Sequence, residues 1–310
     1  MRGLLETFLN DLKNGILTEI LERVKADATL DLEIRENYIN IYYRGGNALK
    51  IIEKSASTYE FSMDTGYIVD SELKANLERP QIVNNASSVS EWLKNLPVIK
   101  DQMDLYFGRN SKEREYQQVV VLENNYGSTA NDTDYYICDI EYANPNGRFD
   151  MVAVKWPSTA PARKRTNNLD LAFIEMKYMD KALTGPSGLK DHIKGMLKFL
   201  SNPQNLASIK EEMVKVFKQK VQLGLLQGIK EIESFSDRKP EYIFILANHD
   251  PAKTALYREL DQVINSSVYQ NFCQYADLKF AAACFMGYGL YLESIQEVHT
   301  FMSQNTHLLK

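Results

Sequence analysis

Residues 171–179 read Leu-Ala-Phe-Ile-Glu-Met-Lys-Tyr-Met, an apolar run broken by one acid and one base. As a strand, the segment alternates its side chains between two faces, so Glu175 and Lys177 emerge together, opposite Ala172, Ile174, Met176 and Tyr178. A charge in such a segment costs several kcal/mol unless it is paired, solvated or bound to a metal. The pair is therefore either a structural ion pair on a half-exposed strand or one half of a chemical site.

The neighbouring segments supply the context. Upstream, DYYICDIEYA (134–143) reads as a strand that turns at NPNG (144–147) and returns as RFDMVAVKW (148–156). This places Asp150 on the strand before Glu175, 25 residues ahead of it. A helical pattern precedes the hairpin over MDLYFGRNSKEREYQQVVVLENN (103–125). After the quoted strand come a helix beginning near Ser187 and a long helix around 209–229. A strand EYIFILANHD (241–250), a short helix over 252–264 and a last strand LKFAAACF (278–285) follow. This order, α-β-β-β-α-(α)-β-α-β, predicts an α/β, mixed α+β fold with a mixed sheet flanked by helices. The first ~25 residues predict an amphipathic helix, and LDLEIRENYINIYYRGGNALKIIEK (30–54) predicts a β-meander turning at Glu36-Asn37 and Gly45-Gly46. With a strand at 59–63 and helices at 71–78 and 88–94, residues 1–95 form an N-terminal α+β module with a structural or targeting role. Residues 96–310 form the second domain, with no Gly/Ser/Pro-rich linker between them.

Asp150 followed by Glu175-x-Lys177 on adjacent strands resembles the motif of the PD-(D/E)xK, or restriction-endonuclease-like, nuclease superfamily. The resemblance covers roughly residues 105–290. It implies a core of order α-β-β-β-α-β, with the motif Asp on Asp150, the motif Glu on Glu175 and the motif Lys on Lys177. The acid often found on the first helix of that superfamily falls on Glu115. Phe149 stands where the motif has Pro, and the spacer between the motif strands is long and carries the basic insert PARKRTNN (161–168).

Hydrolysis of a phosphodiester explains these residue types directly. Mg²⁺ or Mn²⁺ prefers carboxylate, carbonyl and water oxygens, which Asp150, Glu175, the Met176 carbonyl and Glu115 would offer. Lys177 would orient the attacking water or hold the phosphate oxygens. Glu141, across the turn from Asp150, and His192, on the following helix, are candidates for a supporting role. Arg163, Lys164 and Arg165 form the densest basic cluster, and Lys190 and Lys194 recur on the helix after Glu175. Both sets are candidates for nucleic-acid contact. The plain alternatives are a solvated loop, a solvated helix face and a packing histidine. Glu-x-Lys alone is weak, since Glu72-Leu73-Lys74 repeats it in a polar helical segment. Asp31, Glu33 and Arg35 share a strand face in LDLEIR without a following Lys or an upstream acid-bearing hairpin.

With 44% hydrophobic and 25% charged residues the chain is of globular composition, and its net charge of −5 leaves polyanion binding to local clusters. Its three cysteines, Cys138, Cys273 and Cys284, lie in apolar settings with no C-x-x-C, so neither a disulfide framework nor a zinc site is expected. The N-terminus lacks the unbroken apolar core of a secretory signal, and FAAACFMGYGLYL (280–292) is shorter than the ~20 residues of a membrane helix. A cytoplasmic, membrane-free protein is expected. The partner that the resemblance implies is nucleic acid, DNA ahead of RNA. Pairing of two copies, target sequence and endo or exo mode are left open. A catalytically silent nucleic-acid-binding or assembly module of the same fold, or another Mg²⁺ enzyme, would use the same residues.

Overall fold

The computed structural model describes residues 1–108, 113–126, 130–185, 188–226, 228–247, 255–283, 290, 292 and 295–304. The chain divides into two compact units, Met1–Leu122 with Lys215–Glu231, and Glu123–Val214 with Ile232–Lys310. The division lies beyond the expected boundary near residue 95. Two of its three crossings, at Leu122–Glu123 and Val214–Lys215, fall inside helical segments, where no change of composition marks a border.

In the first unit, α1 (Glu6–Asn14) and α2 (Thr18–Ala26) replace the single expected helix. Gly15 takes an extended conformation between them, so the helix cannot continue through it. Strands β1 (Leu30–Ile34), β2 (Tyr38–Tyr43), β3 (Gly46–Ser55), β4 (Thr58–Ser62) and β5 (Gln81–Val83) form an antiparallel sheet in chain order. The β2–β3 turn uses left-handed backbone at Arg44 and Gly45, the latter with φ 77°, which glycine adopts without a Cβ penalty. Helices α3 (Ser71–Leu77) and α4 (Ala86–Leu93) start on side-chain caps, Asp70 accepting from the Leu73 N–H and Asn85 from the Ser88 N–H. α5 (Leu96–Phe107) and α6 (Glu113–Val121) follow. A wider π-type turn over Leu122–Tyr126 ends the stretch read as one helix.

Among the described residues the second unit holds a six-stranded mixed sheet. Strands β6 (Tyr135–Asn144), β7 (Gly147–Lys155) and β8 (Asp170–Tyr178) make an antiparallel meander. β9 (Glu241–Ala247) lies parallel to β8, β10 (Asp277–Ala283) parallel to β9, and β11 (Ile295–Glu297) antiparallel to β10. The helices of this part are α7 (Ala160–Arg163), α8 (Leu189–Leu200), the start of α9 (Pro203–Gln222), which enters the first unit at Lys215, α10 (Leu256–Ile264), α11 (Ser267–Phe272) and α12 (Val298–Gln304). Parallel pairing needs helical crossovers, which α8–α9 and α10–α11 provide. β9 is buried at all seven positions, as suits a central strand covered on both faces. At the edge strand β6, the Asn125 amide exchanges two hydrogen bonds with the Ile137 backbone, 2.8 and 2.9 Å, and stands in for the missing neighbour.

Two features of this frame position the candidate site. Phe149, at the motif's Pro position, is a core residue whose ring meets Phe173 at 4.7 Å and Phe199 of α8 at 4.9 Å, between centroids. α8 is thereby held over the face of β8 that carries Phe173, Glu175 and Lys177. The β7–β8 pairing begins at Met151↔Ile174, whereas β8 stays paired with β9 as far as Tyr178↔Ala247. Residues 175–178 therefore lie where β7 has left β8.

Candidate functional site

The gap left by β7 holds the charged residues. Asp150, one residue before the β7–β8 pairing starts, accepts the Met176 N–H at 2.9 Å and so takes the place of a strand neighbour. Burial first, and the negative charge of Glu175 second, push the Asp150 carboxyl well above the ordinary carboxylate range. The Met176 hydrogen bond and Lys177 pull the other way and are outweighed. Glu175 and Lys177 are 1% and 2% exposed, so the strand buries both charges.

His192, on the second turn of α8, joins the pair. Its Nδ1 lies 3.2 Å from Glu175 Oε2, and its Nε2 lies 3.0 Å from Lys177 Nζ. The role of each ring nitrogen follows the tautomer. Tyr242 of β9 closes the far side. Its hydroxyl hydrogen-bonds Glu175 and is held well above the usual phenol range, by burial first and then by the charges of Glu175 and Asp150. Tyr242 is absent from the sequence-derived candidates because EYIFILA reads as an apolar core strand. The register Phe173↔Tyr242 brings it to the Glu175 face.

The other candidates are placed as follows. Glu141 adds its charge to the field at Asp150 and pairs with Arg148 at 2.8 Å. Glu115 belongs to the first unit, where Arg44 holds it at 2.7 Å. Arg163 is engaged in packing: its guanidinium lies 4.6 Å from the Tyr136 ring centroid and 5.7 Å from that of Trp156, and it donates to the Thr133 carbonyl. Lys164 and Arg165 are exposed, as are Lys190 and Lys194. Lys194 pairs with Asp191 at 3.3 Å. Cys138 and Cys273 are free thiols, whereas Cys284 and the Asn248, His249 and Asp250 end of the expected strand lie outside the described residues.

Among the described residues no cluster of three or more His, Cys, Asp or Glu side chains is arranged to hold a metal ion. The donors that do fit a hard cation are the two carboxylates of Asp150 and Glu175. The Met176 carbonyl faces the same gap as its N–H, as strand geometry requires of one residue. Such a set suits an ion that keeps several waters, as Mg²⁺ does. Also among the described residues, no helix is long and apolar enough to cross a membrane. Comparison of the chain with protein-family models, with curated proteins and with solved structures finds no match.

Proposed function

We propose that this protein is a metal-dependent nuclease that hydrolyses phosphodiester bonds in nucleic acid, DNA ahead of RNA, with a restriction-endonuclease-like core in its second unit. The observation that carries it is the placement of Asp150, Glu175 and Lys177 in one gap of the sheet, with two acids crowding each other beside a buried lysine. A structural ion pair would match its charges, and here the acids repel. Asp150, Glu175 and the Met176 carbonyl would hold Mg²⁺ or Mn²⁺, which when bound supplies an activated water and neutralises developing phosphate charge. Lys177 then holds the water or a phosphate oxygen at the reacting centre, and a preorganised donor of this kind acts where charge develops. His192 sets the positions of both Lys177 and Glu175, and Tyr242 orients the Glu175 carboxylate, much as outer partners orient metal ligands.

The meander of β6–β8 followed by the parallel strand β9, with α8 crossing over the site, supports the superfamily resemblance. The test is incubation of the purified chain with plasmid, linear and single-stranded DNA and with RNA, in Mg²⁺ or Mn²⁺ and in chelator. Metal-dependent cleavage that disappears in Asp150→Asn is expected. Absence of cleavage in every arm, together with no Mn²⁺ binding by calorimetry, defeats the proposal.

A further inference from the structure

A cleft of about 240 Å³ opens beside Glu175, between the β6–β7 turn and α8. One water needs only roughly 10–15 Å³, so the space suits a polyatomic group and exceeds what a lone ion fills. Glu175, His192 and Tyr242 line its inner end, and Arg148, Lys198 and Gly195 line its walls. Gly195 is the informative residue. It sits inside α8, where glycine is a poor helix former, and its backbone has ordinary helical φ, so no left-handed geometry calls for it. A Cβ built there would meet no protein atom within 4 Å. The other described glycines with nothing within 4 Å, Gly185 and Gly228, have positive φ, which supplies their own reason. Packing within the protein therefore does not account for glycine at 195. A ligand that comes close to the helix backbone does, and the cleft is where it would lie.

Charge narrows the choice of ligand. Arg148 and Lys198 line the cleft together with the acids Glu175 and Asp191; Arg148 also pairs with Glu141 at 2.8 Å and Asp191 with Lys194 at 3.3 Å, so Lys198 is the lining base that makes no ion pair among the described residues. An anionic group seated between Arg148 and Lys198 lies next to Glu175. We infer that this cleft is a subsite for the sugar-phosphate unit adjoining the scissile phosphate, with the backbone of α8 at Gly195 as its wall and Arg148 and Lys198 as its phosphate contacts. The inference rests on the nuclease proposal and adds to it where the substrate strand runs: along α8, over Gly195, away from the carboxylates.

The experiment uses the full chain with Gly195→Ala, Gly195→Leu and Lys198→Ala. It reads thermal melting, Mn²⁺ binding by calorimetry, and cleavage kinetics on the DNA substrate that the wild type cuts best. Gly195→Ala is expected to melt higher than wild type, since alanine favours helix, while kcat/KM falls. Gly195→Leu fills the cleft and is expected to lower kcat/KM by about 10²-fold, the scale of a misplaced substrate, with Mn²⁺ affinity unchanged. Binding of a fluorescein-labelled 20-base-pair duplex in chelator is expected to show a log K against log salt slope shallower by about 0.9 in Lys198→Ala. If both Gly195 variants melt at or above the wild-type temperature and cleave with wild-type kcat/KM, the subsite is overturned and the nuclease proposal stands. If the wild type cuts no substrate, both fall. Gly195→Ala serves as the decisive variant should Gly195→Leu fail to fold.

Discussion

The molecule buries charge on two strands, β1 in the first unit and β8 in the second, and treats it in opposite ways. On β1, Asp31, Glu33 and Arg35 are 2%, 0% and 4% exposed. Glu33 meets Lys220 of α9 at 2.8 Å, with both side chains fully buried, and Arg35 lies 3.7 Å from Glu33. Arg35 also donates to the Tyr42 hydroxyl, which accepts from Asn40 as well. Acid is matched by base, so the charges hold the sheet and α9 together. At β8, the carboxylates of Glu175 and of Asp150 on β7 share one region with a single buried lysine and His192, and the Asp150 carboxyl is driven up by burial first and by Glu175 second. The difference separates a structural network from a candidate site: burial alone marks neither, and the balance of charge within the cluster does.

Removing one acid from each strand tests this difference most strongly. Glu33→Ala leaves Lys220 buried without its partner, and loss of one member of a buried pair costs about 3–5 kcal/mol. Glu33→Leu combined with Lys220→Met should recover much of it, because apolar residues of similar size pack where the pair stood. Glu175→Gln relieves repulsion and should leave stability unchanged or higher. Urea denaturation of the intact chain measures all three. Equal losses in Glu33→Ala and Glu175→Gln would erase the distinction.

Next in size is the loss of function expected at β8. Lys177→Ala should reduce turnover by about 10²–10³-fold, the effect of deleting one preorganised electrostatic donor. It should leave Mn²⁺ bound, whereas Glu175→Gln should lose metal and cleavage together. Parallel loss of metal by both variants would make Lys177 a structural partner of Glu175 and place β8 beside β1. Tyr242→Phe, at the edge of the same cluster, should lower Mn²⁺ affinity by about 10–100-fold through the freed Glu175 carboxylate, as outer partners of ligands do.

These expectations also show what a sequence exposes. Glu175 and Lys177 are legible because alternation on a strand needs only their neighbours, and Asp150 because a short hairpin carries it. The seat of Asp150 on the Met176 N–H is not legible, since it depends on where β7 parts from β8. Tyr242 reaches the site only through a parallel register set by two crossover helices, and tyrosine in an apolar strand reads as core. Arg163 looks like a solvated basic residue until Tyr136 and Trp156, from separate segments, are folded beneath it. Lys220 is 187 residues from Glu33, and nothing local couples them. The helical break at Gly15 is signalled in the sequence by the glycine alone, while the apolar period runs on through it.

A smaller contrast concerns acid. Asp27, in the first unit, is raised by burial but more strongly lowered by the Lys100 ammonium, 2.8 Å away, and by Thr29, to a pKa of about 2. A carboxylate with a depressed folded pKa contributes stability above its unfolded value of about 4, and that contribution fades as pH falls toward 2. Lys100→Met should reduce the contribution at neutral pH and make the acid limb between about pH 4 and 2 shallower, while Thr29 and Arg23, the latter 3.0 Å away, still hold the carboxylate. Thermal melts at stepped pH read it. An acid limb identical in wild type and variant would exclude Asp27 from the matched charges of this unit.

The finest division falls within the basic loop before β8. Arg163, Lys164 and Arg165 are adjacent in sequence and differ in setting: Arg163 lies over two aromatic rings, while its neighbours face solvent. A guanidinium over aromatic faces contributes about 0.5–2 kcal/mol, depending on how far it is desolvated. Arg163→Ala should therefore lower the melting temperature, and should leave the salt dependence of DNA binding as it was. The double variant Lys164→Ala, Arg165→Ala should do the reverse. If both side chains touch phosphates, each loss makes the slope of log K against log salt shallower by about 0.9 on duplex DNA, with melting unchanged. A slope lost in Arg163→Ala and kept in the double variant would mean that the aromatic seat presents the guanidinium to the substrate. Arg163 would then belong with the β8 site, where charge is left for a ligand, and not with the matched charges that hold β1.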